Sequence, residues 1–231
     1  MNTIGLIGGM SWESTVPYYR QINELTKERL GGLHSARIIL YSVDFHDIER
    51  LQQAGRWSEA GAVLAGVAGA LERAGADLLV LCTNTMHKVA PAIEAAVRIP
   101  LLHIADATGE EIKRAGVSTV GLLGTRFTME QGFYKDRLRQ NFGLRVLVPG
   151  ETDRNLVHRV IYDELCLGKI VEGSRSEYRR VMAKLVDEGA EAIILGCTEI
   201  TLLVGQEDTA VPLFDTTRIH ARRAAEWALR E

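Results

Sequence analysis

The chain has 231 residues, 46% of them hydrophobic, enough to bury one large core or two smaller ones. Its formal net charge of -3 gives no electrostatic footing for nucleic acid or for an anionic membrane surface. No apolar run approaches the roughly 18 residues needed to cross a bilayer, so no membrane span is expected. Along the chain, short β-like runs alternate with longer helical ones. Residues 3–7 read as a strand, Gly8-Gly9-Met10-Ser11 as a turn, and residues 12–30 as a helix with a polar, capped start. Residues 36–42 form a second strand, and a polar segment, 44–57, leads into an Ala-rich helix over 58–74 that Gly75 ends. Residues 77–82 are a third strand, followed by the polar loop Thr83-Asn84-Thr85-Met86-His87 and a helix to about Val97. Residues 100–104 are strand-like and 106–115 helical.

The pattern then restarts. Residues 119–123 read as a strand, Gly124-Thr125-Arg126 as a turn, 127–140 as a helix and 144–148 as a strand. Helices are predicted over 153–166 and 173–188, then a strand over 191–195, a short helix over 199–203 and a last strand over 211–214. Asp215 is placed to cap a final helix to the C-terminus. Strands alternating with helices imply parallel sheets with helices on both faces.

Two pairs of segments superimpose. Thr3-Ile4-Gly5-Leu6-Ile7-Gly8 matches Thr119-Val120-Gly121-Leu122-Leu123-Gly124 at an offset of 116, and residues 74–83 match 188–197 at an offset of 114. This predicts two similar Rossmann-like α/β domains with mainly parallel sheets, related by pseudo-two-fold symmetry, with the active site in the cleft between them. The expected N-terminal domain is 1–103 plus 208–231, the last strand and helix crossing back, and the C-terminal domain is 104–207. The repeat pairs Thr83 with Cys197, and Gly9-Met10 with Thr125-Arg126. Hydroxyls (Ser11, Ser14, Thr15, Thr83, Thr85, Thr125, Thr198) and helix N-termini are then expected to line the cleft, which suits a small carboxylate. Phosphate fits less well, because neither Gly-containing turn continues into a GxGxxG or GxxxxGK[ST] pattern.

Cys197, following Ile-Ile-Leu-Gly, stands at the C-terminal end of a buried strand, where open α/β sheets place ligands. A lone cysteine there is by itself a small buried hydrophobe; the repeat is what raises its weight. Cys82 and Cys166 complete an odd set of three that fits neither a disulfide framework nor a zinc site. Free thiols suit a reducing cytoplasm, and the start, Met-Asn-Thr-Ile-Gly-Leu-Ile, carries no basic n-region or cleavage site, so no signal peptide is expected.

Ile7-Gly8-Gly9-Met10, Thr83-Asn84-Thr85-Met86-His87, Gly124-Thr125 and Gly196-Cys197-Thr198-Glu199 together resemble the signature segments of the aspartate/glutamate racemase superfamily. The likeness covers essentially the whole chain and is closer to the aspartate branch, which has Glu after Cys-Thr. Hydantoin racemase, maleate isomerase and arylmalonate decarboxylase share the fold. The resemblance implies a cofactor-independent, pyridoxal-free isomerase, a homodimer, in which two cysteines flank the α-carbon. One thiolate removes the α-proton and the other thiol delivers a proton to the opposite face. The thiolate is expected to have its pKa lowered at a helix N-terminus, and N–H groups and hydroxyls to stabilise the charge that develops.

The chain departs from the pattern at Thr83, which stands where the family has its first cysteine. A hydroxyl is a far weaker acid than a thiol and is almost never available as a base near neutral pH. The family's second thiol handles the L-enantiomer, so Cys197 and Thr83 are expected to make an L-selective, slow enzyme acting on aspartate- or glutamate-type substrates. Met10, Gln52, Asn84, Thr85, Thr125, Lys169 and Thr198 are the expected substrate-binding residues, with Lys169 and Gln52 assigned by resemblance alone, Lys169 to the distal carboxylate. Cys82 is expected to pack against a helix, since neighbouring strand residues face opposite ways; Cys166 is read as structural and His87 as a helix-start residue. Glu199 either orients the thiol or raises its pKa by like charge. Asp44, His46 and Asp47 are read as solvated, and no metal is expected. Two other functions stay open: a single-thiol decarboxylase or isomerase of a small dicarboxylic acid, and a non-catalytic binder of small carboxylates.

Overall fold

The computed structural model describes residues 1–230 and divides into two units: residues 1–104 together with the segment from His220 onward, and residues 105–219. In the first, β1 (Ile4–Gly8), β2 (Ile38–Ser42), β3 (Leu78–Leu81) and β4 (Leu101–Leu102) form a parallel sheet in the order β2-β1-β3-β4. In the second, β5 (Thr119–Gly124), β6 (Arg145–Leu147), β7 (Ala192–Gly196) and β8 (Leu213–Asp215) repeat it as β6-β5-β7-β8, again parallel. The two sheets have the same topology, as the internal match requires.

Both faces of the first sheet are covered, and the side-chain alternation of a strand divides its residues between two clusters. Ile7, Leu79 and Leu81 pack on one face against α3 (Trp57–Arg73). That helix buries Ala60, Leu64, Val67, Ala68 and Leu71, a stripe at helical spacing. Ile4, Leu6, Leu78, Val80 and Cys82 pack on the other face with α1 (Trp12–Leu30) residues Tyr18 and Ile22 and with Ala221, Ala224, Ala225 and Ala228. These alanines belong to α10 (Thr216–Ala228). In the second unit α9 (Glu172–Asp187) buries Tyr178, Val181, Met182 and Leu185, again at helical spacing. A Cβ on Gly121 of β5 would come within 2.6 Å of Ile193 and 3.0 Å of Leu185, so that strand must carry glycine to let α9 approach.

The predicted elements shift where local chemistry overrides pattern. The polar segment 44–57 contains a helix, α2 (Phe45–Gln53), started by the Asp44 side chain accepting from the His46 N–H at 3.0 Å. The loop read over 83–87 runs into a 3-10 turn, Thr85–Val89, the helix predicted from there to about Val97 shortens to α4 (Ala90–Glu94), and the strand 100–104 shrinks to β4. α5 (Ile104–Arg114) follows it. The helix predicted over 127–140 is two, α6 (Arg126–Glu130) and α7 (Gly132–Phe142), broken where Gln131 turns extended at ψ 152. α8 (Glu151–Asp163) ends before a 3-10 turn, Leu165–Leu167, that holds Cys166. A 3-10 turn, Thr198–Leu202, replaces the short helix after β7. Asp215 caps α10 as read from the sequence, accepting from the N–H groups of Thr217 at 2.9 Å and Arg218 at 3.1 Å. The return to the first unit comes at His220 rather than at residue 208, because β8 pairs with β7. Of the final helix predicted to the C-terminus, Glu231 lies outside the described residues.

Candidate functional site

Apart from Gln52 and Lys169, the residues singled out by sequence fall at or just after the C-terminal ends of the central strands of each sheet. In the second unit β7 ends in Gly196, paired with Gly124 of β5. A Cβ on Gly124 would lie 2.9 Å from the Gly196 carbonyl, so these two strand ends touch backbone to backbone. Thr125 follows on one strand and Cys197 on the other. The Thr125 side chain caps α6, accepting from the Thr128 N–H at 3.3 Å.

Cys197 has extended backbone (φ -148, ψ 132) and leads into the 3-10 turn 198–202. Its side chain is 8% exposed, and its Sγ donates to Oε2 of Glu199 at 2.9 Å. The same oxygen accepts from the Thr198 hydroxyl at 2.7 Å, and Glu199 is itself only 4% exposed. Burial pushes the Cys197 thiol well above its ordinary pKa, and the Glu199 carboxylate adds to the rise; the charges of Cys166 and Tyr178 also couple to it. The thiol is therefore protonated at rest near neutral pH. This corrects the expectation of a thiolate stabilised at a helix N-terminus. A single 3-10 turn offers little dipole, whereas desolvation and a like charge both favour the neutral form.

In the first unit the turn after β1 is held by Thr15, whose hydroxyl accepts from the Gly9 N–H and donates to the Ser11 carbonyl, both at 2.8 Å. Ser14 also donates to that carbonyl, at 2.9 Å, and its own N–H is capped by the Ser11 hydroxyl at 3.3 Å. These hydroxyls, expected to face a ligand, are engaged in starting α1. The Met10–Ser11 peptide is cis, and Met10 is buried in the α3-side cluster. Gln52, expected by resemblance to bind substrate, is buried on α2, and its amide donates to the Met86 sulfur at 2.9 Å. The Gln52 side chain is thereby set against the turn that follows β3.

Thr83 lies at the bend leaving β3, at the position its sheet shares with Cys197 in the other. Asn84 heads the 3-10 turn and Thr85 opens it; both are buried. His87 does more than start a helix. Its Nδ1 lies 2.7 Å from the Thr83 carbonyl and its Nε2 3.2 Å from the Ile104 N–H. A carbonyl can only accept, so Nδ1 carries the proton and Nε2 accepts. Nothing in the sequence pattern signalled this brace, because it joins residues 83 and 104 through a ring at 87. Cys82 sits inside the α10-side cluster, its thiol pushed up by burial. Lys169 is exposed, in the turn after Gly168, tied by its backbone N–H to the Glu164 carbonyl at 2.9 Å. Arg126 is exposed as well. Among the described residues no group of three or more His, Cys, Asp or Glu could hold a metal, and no helix is long and apolar enough to cross a membrane.

Two like parallel sheets with a thiol and hydroxyls at their strand C-termini define an α/β protein built to bind a small molecule. The family model described as Asp/Glu/Hydantoin racemase matches residues 7–224. A candidate Asp/Glu racemase from Yersinia pestis is 61% identical over the whole of both chains, with a TM-score of 0.94. An aspartate racemase homologue from Pyrococcus horikoshii is 36% identical over the whole of both chains, with a TM-score of 0.85. A broad specificity amino-acid racemase from Bacillus subtilis is 21% identical across 95% of each chain. The chain belongs to the Asp/Glu/hydantoin racemase family and is by that membership an isomerase of the amino-acid racemase class.

Proposed function

We propose that the protein is a cofactor-independent racemase of aspartate- or glutamate-type amino acids in which Cys197 removes the α-proton of the L-enantiomer and Thr83 stands in for the second thiol. The observation that carries this reading is the equivalence of the two strand ends: one bears a buried thiol in contact with a carboxylate, and the other bears a hydroxyl. A thiol on one side and a hydroxyl on the other make the two directions of proton transfer unequal. The hydroxyl of Thr83 donates to the developing carbanion through water and does not act as a base. Asn84, Thr85, Thr125 and Thr198 offer hydroxyl, amide and N–H groups for the substrate carboxylate, with Met10 and Gln52 shaping the first unit's share. Lys169, exposed on its turn, serves the distal carboxylate. The reading carries with it a cytoplasmic homodimer, and sedimentation of the purified chain at twice its own mass checks the dimer.

The test is exchange of the α-proton in deuterated water for each enantiomer of aspartate and glutamate. Exchange from the L-enantiomer, slow exchange from the D-enantiomer and loss of both on Cys197→Ser are expected; equal exchange of the two enantiomers refutes the one-sided model. The presence of one site thiol rather than two favours a second reading, a decarboxylase of malonate-like acids, which needs a single proton donor. Release of carbon dioxide from such an acid, without exchange at an amino-acid α-carbon, would select it. Binding without either reaction would leave a carboxylate-binding protein.

A further inference from the structure

The exposed apolar side chains of the first unit are gathered on one face. On α1, Trp12, Val16 and Tyr19 follow at helical spacing and form a single stripe; they are 64%, 44% and 56% exposed. The stripe lies off the face that carries Tyr18 and Ile22, with which α1 packs on its sheet. Leu40 of β2, 44% exposed, extends it. A Cβ on Gly8 would lie 2.4 Å from Cγ2 of Thr15 and 3.0 Å from Cδ1 of Leu40, so Leu40 stands beside α1. β2 is an edge strand, hydrogen-bonded to β1 alone among the described strands. From Ile38 to Ser42 it has no charge and no proline to guard that edge. The aromatics among the exposed large hydrophobics of the described residues, Trp12, Tyr19 and Tyr41, all fall on these two elements. Trp and Tyr are the side chains that most often anchor protein interfaces.

We propose that a second copy of the chain docks on this face, α1 lying antiparallel on the partner's α1 about a two-fold axis that passes beside Val16. The proposal gives a location to the homodimer that the racemase reading carries, and rests on that dimer. Two observations select a copy of this chain over a different protein. The first is charge. Glu13 and Arg20 flank the stripe on the same side, about two helical turns apart, and neither has an ion pair among the described residues. A two-fold midway between them sets Glu13 of each protomer against Arg20 of the other, the reciprocal pairing that an isologous contact requires. The second is area. At about 150–250 Å² per aromatic side chain, the stripe and Leu40 hold roughly 450 Å² of exposed surface. That is just over half of the ~800 Å² each partner buries in a stable dimer, which is the apolar share such interfaces have. None of the residues assigned to the candidate site belongs to the face.

The experiment measures mass and dimer Kd by sedimentation for the purified wild type, Val16→Glu, Glu13→Arg, Arg20→Glu and the double variant Glu13→Arg/Arg20→Glu, with thermal melting of each. The wild type is expected to sediment as a dimer. Val16→Glu sets two carboxylates against each other at the axis and should raise Kd by about 10²-fold or more. Each single reversal brings like charges together and should raise Kd about tenfold, whereas the double reversal restores opposite pairs and should return it to within a few-fold of the wild type. Should Val16→Glu prove unfolded on melting, the reversals still decide, together with Val16→Cys. That variant should form a disulfide-linked dimer with oxidised glutathione as the electron acceptor, while the wild type, whose Cys82 and Cys197 are buried, should not. A wild type that sediments at its own mass overturns the proposal and leaves the face to a different protein. A dimer indifferent to Val16→Glu and to both reversals, single reversals without rescue in the double, or no cross-link in Val16→Cys overturns this face and leaves the dimer to another surface. The exchange assay decides the racemase reading separately: α-proton exchange in a monomeric wild type keeps the racemase and removes the dimer.

Discussion

Thr83 and Cys197 occupy equivalent strand ends, and a hydroxyl and a thiol differ by many orders of magnitude in acidity, which on the proposed reading makes the two directions of proton transfer unequal. Substituting sulfur for the hydroxyl should restore the missing side. Thr83→Cys is expected to raise α-proton exchange from D-aspartate or D-glutamate by about 10²-fold while leaving L-exchange within a few-fold, as a competent acid/base group is worth 10² or more. Exchange followed by proton NMR for each enantiomer separately checks it. Cys82, next in sequence, cannot substitute. Its thiol points into the α10-side cluster, 3.8 Å from the Val80 carbonyl, and burial holds it neutral. Cys82→Ala should therefore leave both exchange rates within about twofold while lowering stability by about 1 kcal/mol for the lost packing; unfolding in urea and the same exchange assay read the two effects apart.

At the scale of elements, the turn after β1 is the most constrained piece of the candidate site. Gly9 has φ +89, and a Cβ there would lie 2.2 Å from the Val43 carbonyl. Gly9→Ala should cost at least about 2 kcal/mol, combining a disfavoured backbone region with a backbone clash, read as a lowered midpoint of chemical unfolding and a weakened KM. This turn was legible from its Gly-Gly. The strands were legible too, since buried parallel strands are continuous apolar runs. α2 was not. It is a short, nine-residue helix that fully buries only Ile48 and Gln52, with Phe45 and Leu51 packed half-buried beside them, and one of the two buried residues is an amide whose partner, the Met86 sulfur, is remote in sequence. The contact between Cys197 and Glu199 was half legible. The spacing places the two close together, but whether a carboxylate at that distance faces the thiol depends on how the chain turns after β7, and a 3-10 turn sets that angle where an α-helix was expected. The break at Gln131 was marked only by Gly132, which the helical reading over 127–140 ran through.

For the whole molecule, the duplication was readable because two strand-and-turn units kept their sequence as well as their order, and both sheets confirm it. The last strand and helix, which showed no counterpart in the sequence, have one in the fold: β8 takes the place of β4 and α10 follows it as α5 follows β4; α10 also carries a buried imidazole that the sequence could not rank. His220 is fully buried. Its Nε2 lies 2.8 Å from the Leu102 carbonyl and must donate, so Nδ1 accepts from the Tyr18 hydroxyl at 2.9 Å. Its aromatic surroundings are neutral or titratable rather than acidic: Tyr18, and the ring of His87 at 5.8 Å, itself 4.5 Å from His103. Burial lowers the His220 pKa from 6.5 to about 4. Between those values the unfolded chain binds a proton that the folded chain refuses. The stability conferred by neutral His220 is thus intact above pH 6.5 and drains as pH falls towards 4, by at most about 3 kcal/mol. Urea unfolding of the wild type and of His220→Gln at matched pH values measures this. The variant is expected to be less stable at pH 7, having lost a ring that satisfies two partners, but to lose less of its remaining stability on acidification. A variant whose unfolding midpoint falls as steeply with pH as the wild type's would place the acid sensitivity elsewhere.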